Sequence, residues 1–419
     1  MDQSKKKYSS LWPLWVAVFS DILGFTILIP LFPLFISLFS VTPLEVSYAM
    51  SLNAVFGFIF GPILSHLSDK YGRKPLLLIS QMGTLIGFII LAMSTNIYWI
   101  YASRIVDGIF GGNHPIAKAI IGDVVEPKDR SKEMTNVGTA HNLANLVGPA
   151  IGGLLAESTG LVGPGLVAAF LSLITIFMTI FYIKESAPAK TGKIISVKVD
   201  IVEKNSNNTN NNKNGHSLIK NYYFMVVLMV YLFHTLSFIT NNSGFAMFMS
   251  LKLNYDSKTI GLIFTISGVF QLFIRFVIFY PLLKKIGENK LLKLGLALFI
   301  GVFFSIGFVT AGYQLIISLL FLSFAASSVR GILSSYLSRT VHPKQQGLAM
   351  GIGTSMDSVA QIIGPLLSGF ILISFNLDYF GFISGILSII AFLLVFIKIE
   401  FVFEKSKEIP IIPEKWEME

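Results

Sequence analysis

Polar residues in this chain are gathered into short clusters, and long apolar runs lie between them. Twelve of these runs are predicted to be helices crossing a bilayer, near residues 12–36, 46–67, 75–95, 98–121, 135–157, 161–183, 221–249, 258–281, 290–310, 313–337, 347–373 and 378–399. One crossing needs roughly 20 apolar residues. Inside lipid every backbone group must be satisfied within the span, and short alternating strands of a barrel are absent, so helices are the expected form. The fold class that follows is an all-α polytopic membrane protein, with the lipid bilayer as its first partner.

The polar clusters set the expected topology. One series of loops carries Lys5, Lys6 and Lys7, then Lys70, Arg73 and Lys74, then Lys128, Arg130 and Lys132, then Lys284, Lys285 and Lys290, then Arg339 and Lys344; the opposite series carries only Lys252 and Lys258. Lys and Arg accumulate in cytoplasmic loops. Both termini are therefore expected in the cytoplasm, as an even number of spans also requires. The residues before the first span are basic, and that span is too long for a signal-peptide core. The plasma membrane is the expected location.

The stretch 186–219 differs in kind. It contains "EKNSNNTNNNKNGHS", which cannot bury a core and reads as an Asn-rich cytoplasmic linker. Six expected spans precede it and six follow, which suggests an N-terminal bundle over 1–185, a C-terminal bundle over 220–400 and a cytoplasmic tail over 401–419. An internal repeat supports the division. The segment from Glu126 recurs from His342, so that Gly148, Pro149 and Gly153 match Gly364, Pro365 and Gly369. Gly72 finds a weaker echo in Gly287. Repeats of this kind point to a transporter made of two related halves.

Composition narrows the classes. Charged residues are only 13% of the chain against about a quarter in a soluble domain, and there are no cysteines. Disulfides and thiolate chemistry are excluded. The net charge of +9 sits mostly between spans, where topology accounts for it, so nucleic acid is not an expected partner. No P-loop pattern is present and the six histidines are scattered, so ATP-driven transport, enzymatic activity, a metal site and a cofactor are not expected.

An ionisable group inside a span is costly and is a functional candidate by default. Asp21 lies about 9 residues into the first span, roughly 13 Å by helical rise, with no basic residue one turn away. A carboxylate withdrawn from water there suits the loading and release of a proton. Arg104 and Asp107 share a face of the fourth span; they are either a self-satisfied pair or a sensor in which Arg104 also meets another carboxylate such as Asp21. His141 and Asp357 are repeat mates, as are His114 and Arg330, and such symmetric positions suit a substrate cavity. The bland alternative for all four is hydrogen bonding between helices.

The stretch "SHLSDKYGRKP", residues 65–75, resembles the loop motif of the major facilitator superfamily, with Asp69, Gly72, Arg73 and Lys74 in register. The run "RIVDGIFGG" from Arg104 resembles the fourth-span pattern of proton-coupled members. "GPAIGG", with Gly148, Pro149, Gly152 and Gly153, resembles the antiporter signature, and "DILGFTILIPLFP" resembles the first helix of tetracycline-type exporters. The resemblance covers nearly the whole chain. It implies the major facilitator fold of twelve helices in two pseudo-symmetric six-helix bundles, and secondary active transport by alternating access. It further implies proton-coupled antiport of a small lipophilic or cationic compound, with the proton gradient as energy source and no cofactor. Asp69 and Arg73 would form a cytoplasmic gate, with Asp123 or Arg130 at the end of the fourth span as the available partner. The Gly-Pro segment would seal or hinge the packing of helices. A monomer is expected. Two other readings stay open: a sugar or organic acid symporter or uniporter, and a non-transporting receptor on the same scaffold.

Overall fold

A computed structural model describes residues 11–125, 127–186, 218, 221–342 and 345–406. The basic N-terminus, nearly all of the expected linker, Lys344 and the end of the tail lie outside the described residues. No β-strand occurs among those described.

The chain begins with α1 (Trp12–Thr26), which Pro13 starts. Pro30 and Pro33 cannot donate backbone bonds, and here the chain passes through a 3-10 turn into α2 (Phe32–Phe39). A capping box opens α3 (Pro43–Tyr71): the Glu45 amide donates to Thr42 Oγ1 at 3.3 Å, and the Thr42 amide to Glu45 Oε2 at 2.7 Å. The helix ends at Gly72, whose φ of 113° admits only glycine without strain. Helix α4 (Arg73–Ala92) follows at once, then α5 (Ile97–Ile109), capped by the side chain of Asn96.

The expected fourth span is broken. After α5 the chain turns at Gly111 and Gly112 and resumes as α6 (Asn113–Val124). Ser80 of α4 splints the break, donating to the Phe110 carbonyl and accepting from the Gly112 amide. Helix α7 (Pro127–Thr159) carries Pro149 inside, and α8 (Val162–Tyr182) completes the first half. The second half contains α9 (Tyr222–Leu253), α10 (Ser257–Phe273), a π-helical stretch at Ile274–Phe279, α11 (Tyr280–Ile286), α12 (Glu288–Ile306), α13 (Gly312–Arg339), α14 (Gln346–Ser374) and α15 (Phe382–Ser406). In the loop before α10, bonds from Thr259 hold the Asp256 carboxyl below the usual carboxylate range.

Ten helices among the described residues are long and apolar enough to cross a membrane. The two further spans expected from sequence coincide with α5–α6, whose break leaves pieces of 13 and 12 residues, and with α7. The latter is 33 residues long, but Asn136, His141, Asn142 and Asn145 make it too polar to qualify.

Two compact units are present. The first contains the N-terminal half with Asn242–Val269 and Gln361–Leu377; the second contains the rest, including Phe270–Ala360. The core of the first unit packs Leu14 and Val18 of α1 against Leu76 and Leu77 of α4 and Ile116, Ile120 and Ile121 of α6. The second packs Val227 and Tyr231 of α9 against Leu292, Phe299 and Phe303 of α12 and Val329 and Leu333 of α13. Exposed Phe170, Phe177 and Phe181 form a stripe along α8. Such a face suits contact with lipid or with another apolar surface.

Candidate functional site

Asp21, Arg104 and Asp107, inside the first unit, are tied into one network. Asp21 Oδ1 accepts from Asn113 Nδ2 at 2.8 Å, and the same amide lies 3.5 Å from Thr84 Oγ1. Thr84 in turn lies beside Asp107, close enough to act on its carboxyl. Asp107 Oδ2 also accepts from Asn53 Nδ2 at 3.0 Å and from Arg104 Nη1 at 3.3 Å. Arg104 Nη2 donates to Ser103 Oγ at 3.0 Å, and its guanidinium lies 5.5 Å from the centre of the Phe88 ring. The chain of contacts thus runs from α1 through α6 and α4 to α5 and α3.

Local sequence explains the geometry. The break at Gly111 and Gly112 starts α6 next to Asp21, so that its first residue, Asn113, meets the carboxylate. Gly24 leaves room for the Phe88 ring, and Gly87 lets the Asp107 side chain approach α4. Arg104 is only 2% exposed. Its Nε, and Oδ1 of Asn113, are buried without a partner. Arg104 does not meet Asp21 directly: it pairs with Asp107, and the link to Asp21 passes through Thr84 and Asn113. Sequence reasoning missed Asn53, Thr84 and Asn113. An amide opening a helix after Gly-Gly was the available signal for Asn113.

The loop after α3 is organised around Arg73, which is 7% exposed. Its guanidinium bonds Asp69 Oδ1 at 2.5 Å, Asp123 Oδ2 at 2.9 Å and Ser68 Oγ at 2.7 Å, and its backbone amide donates to Glu185 Oε1 at 2.8 Å. Lys74 Nζ donates to the Ile180 carbonyl at 2.6 Å. Of the two partners expected for the gate, Asp123 is the one engaged, and by Arg73, which stands between it and Asp69, since like charges need a cation to share. Arg130 caps α6, donating from Nε to the Val125 carbonyl at 3.0 Å. Glu185 is a further member that the sequence did not reveal. The second half repeats the arrangement with charges exchanged. Gly287, with φ of 81°, precedes Glu288, which holds Arg339 at the end of α13 through bonds of 2.9 and 3.1 Å.

The expected cavity residues fall into both units. In the second, Asp357 Oδ2 accepts from Tyr231 Oη at 2.9 Å and from Arg330 Nη2 at 3.1 Å, joining α9, α13 and α14. Its Oδ1 is buried without a partner. In the first, His114 lies within electrostatic reach of His141 on α7 and of Lys118 one turn along α6. Lys118 went unremarked although it is a lone cation in the run "PIAKAIIG".

The Gly-Pro segment of α7 is a close-packing device. The position a Cβ would take on Gly148 is filled by the Thr26 side chain, and on Gly152 by the Ile27 carbonyl. Thr26 Oγ1 also donates to the Ala144 carbonyl at 3.0 Å. On the other face Gly153 meets the backbone of Ser257 and Gly261, and Pro149 meets Gly261. Glu157 and Lys258 close the same contact at 2.9 Å.

A family model described as Major Facilitator Superfamily matches residues 14–205 and 227–413. The tetracycline resistance protein, class H, of Pasteurella multocida is 25% identical over 90% of this chain and 92% of the relative. Multidrug resistance protein 2 of Bacillus subtilis is 26% identical over 89% of this chain and 91% of the relative. Among solved structures, the nucleoside transporter NupG superposes with a TM-score of 0.74 over 93% of this chain and 99% of that one, at 13% identity, a likeness of fold alone.

Proposed function

The chain belongs to the Major Facilitator Superfamily and is an integral membrane transporter, and from that premise we propose that it exports a small lipophilic or cationic compound in exchange for protons. The observation that carries this reading is the buried network from Asp21 to Arg104. A carboxylate held by one amide, with an orphaned buried oxygen on Asn113 beside it, has a place for a proton and a hydrogen-bonded route by which its charge is felt at a buried ion pair. Protonating Asp21 removes the acceptor charge from Asn113 and lets that amide turn, which changes the bonding of Thr84 and Asp107. The drug-resistance relatives support the direction and the substrate class. Transport proceeds by alternating access, with both termini in the cytoplasm, the plasma membrane as location and no cofactor.

The test is proton flux in proteoliposomes with an imposed pH gradient and an entrapped pH dye. Tetracycline-like compounds and lipophilic cations are expected to dissipate the gradient with the wild type and not with Asp21→Asn. Equilibration of a sugar or organic acid regardless of pH, with no drug-driven proton movement, would instead support the facilitator reading.

The Arg73 cluster acts in this proposal as the cytoplasmic gate. The Asp69–Arg73 pair, exposed on the Asp69 side, is worth only about 0–1 kcal/mol, and together with the more buried Arg73–Asp123 pair it can bias two states separated by a few kcal/mol. Asp69 is half exposed and Arg73 is buried, so Asp69→Asn loosens the cluster without unfolding it. Transport by Asp69→Asn is expected to fall while its abundance in the membrane stays at the wild-type level. Unchanged transport rates would remove the gate from the mechanism.

A further inference from the structure

We propose that the corner joining α11 to α12 binds the headgroup of an anionic phospholipid, with Lys284, Lys285 and Lys290 as its cations. This goes beyond the transport reading: it requires the membrane placement of the chain and not the exchange of protons. The two halves build this corner on one plan with different signs. Matching Gly287 to Gly72 sets Lys284 against Asp69, Lys285 against Lys70 and Glu288 against Arg73. In the first half the corner is neutralised from within. Asp69 and Asp123 both hold Arg73, Lys74 donates to the Ile180 carbonyl, and the Lys70 ammonium lies 5.4 Å from the centre of the Tyr71 ring.

In the second half it is not. The one acid of α11 and α12 is Glu288, and Arg339 takes both of its oxygens, at 2.9 and 3.1 Å. Lys284, one turn before Glu288, is left without the pair that its counterpart Asp69 makes. Lys285 and Lys290 are in the same position: all three lysines are exposed, and among the described residues none of them has a hydrogen bond or an ion pair. Topology explains why this end of the helix is basic, but not why its lysines lack partners where those of the first half have them. An anionic headgroup supplies the missing countercharge, worth about 1 kcal/mol or roughly fivefold for each basic residue. The acyl chains have a place as well. Phe273, Phe276 and Tyr280 follow one another at three or four residues, all exposed, and Lys284 continues the line. That line crosses the π-helical stretch, where Arg275, Phe276, Val277 and Ile278 are exposed in succession. Four consecutive residues sweep most of a helix's circumference, so a chain has room to lie beside them.

The sequence has no cysteine, so Val277→Cys, exposed next to this line, gives the full-length protein a single site for a fluorophore. The labelled protein in neutral detergent is titrated with phosphatidylglycerol or phosphatidylcholine that carries a spin label high on one acyl chain. Phosphatidylglycerol is expected to quench at a concentration at least about tenfold lower than phosphatidylcholine. Lys284→Gln, Lys285→Gln and Lys290→Gln together are expected to reduce that preference below about twofold, and arginine at the same three positions to keep it. Equal quenching by the two lipids, or a preference unchanged in the glutamine variant, overturns the proposal. So does displacement of the labelled lipid by inorganic phosphate as readily as by unlabelled phosphatidylglycerol, which would make this a site for a free anion. Quenching is read without transport, so lipid preference and drug-driven proton flux stand or fall separately.

Discussion

Replacing Arg104 by alanine is expected to destabilise the protein by about 3–5 kcal/mol and to abolish coupled transport, because it leaves the buried Asp107 carboxylate without its cation. The guanidinium is 2% exposed, and water cannot replace it without opening α3, α4 and α5. Asn53 remains as a donor to Asp107, with Thr84 beside it, but neither neutralises its charge. The informative comparison is the double variant Arg104→Met with Asp107→Leu. Removing both charges at once exchanges a desolvated pair for apolar packing, a change that is often neutral or stabilising. Thermal unfolding in detergent should therefore recover most of the loss in the double variant, while proton flux stays at background. If the double variant also recovered transport, the pair would be scaffolding and the network would have no part in coupling.

The second large effect is expected at Gly152. A side chain there would be driven into the carbonyl of Ile27 in the first half's own backbone, and backbone cannot turn aside as a side chain can. Overpacking of this kind costs about 1–3 kcal/mol. Gly152→Val is expected to show that loss in thermal unfolding and to stop drug-driven proton flux, since α1 must then separate from α7 just beyond Asp21. The control is Gly138→Ala on the same helix. Apart from its own helix backbone and chain neighbours, no atom of the described residues lies within 4 Å of its Cβ position, and alanine favours helix by up to about 1 kcal/mol. That variant should be at least as stable as wild type and fully active. Wild-type flux in Gly152→Val would show that close approach of α1 and α7 is dispensable.

Much of the architecture was legible in the sequence, because lipid imposes its demand one segment at a time. A run of apolar residues long enough to cross must be helical whatever surrounds it, so most of the expected spans are found as helices. The exceptions have local causes. Residues 98–121 look like one continuous span, yet Gly111, Gly112 and the splint from Ser80 divide it. Residues 135–157 are helical, but polar enough that length and hydropathy alone do not mark them.

The site was legible only in part. Asp21, Arg104 and Asp107 stood out because charge inside a span is conspicuous. Their connection did not, since it runs through Asn53, Thr84 and Asn113, which are ordinary polar residues until packing brings them within 3.5 Å. Arg73 was legible as part of a motif, but its burial and its use of Glu185 depend on where α8 ends. Sequence by itself determined the membrane class, the helical form, the repeat and the intramembrane charges, all of them properties of single segments in a low-dielectric solvent. Only the tertiary structure decided which charge meets which. Hydrogen bonds and ion pairs act over about 3 Å, and residues 50 or 90 positions apart reach that distance only when helices pack.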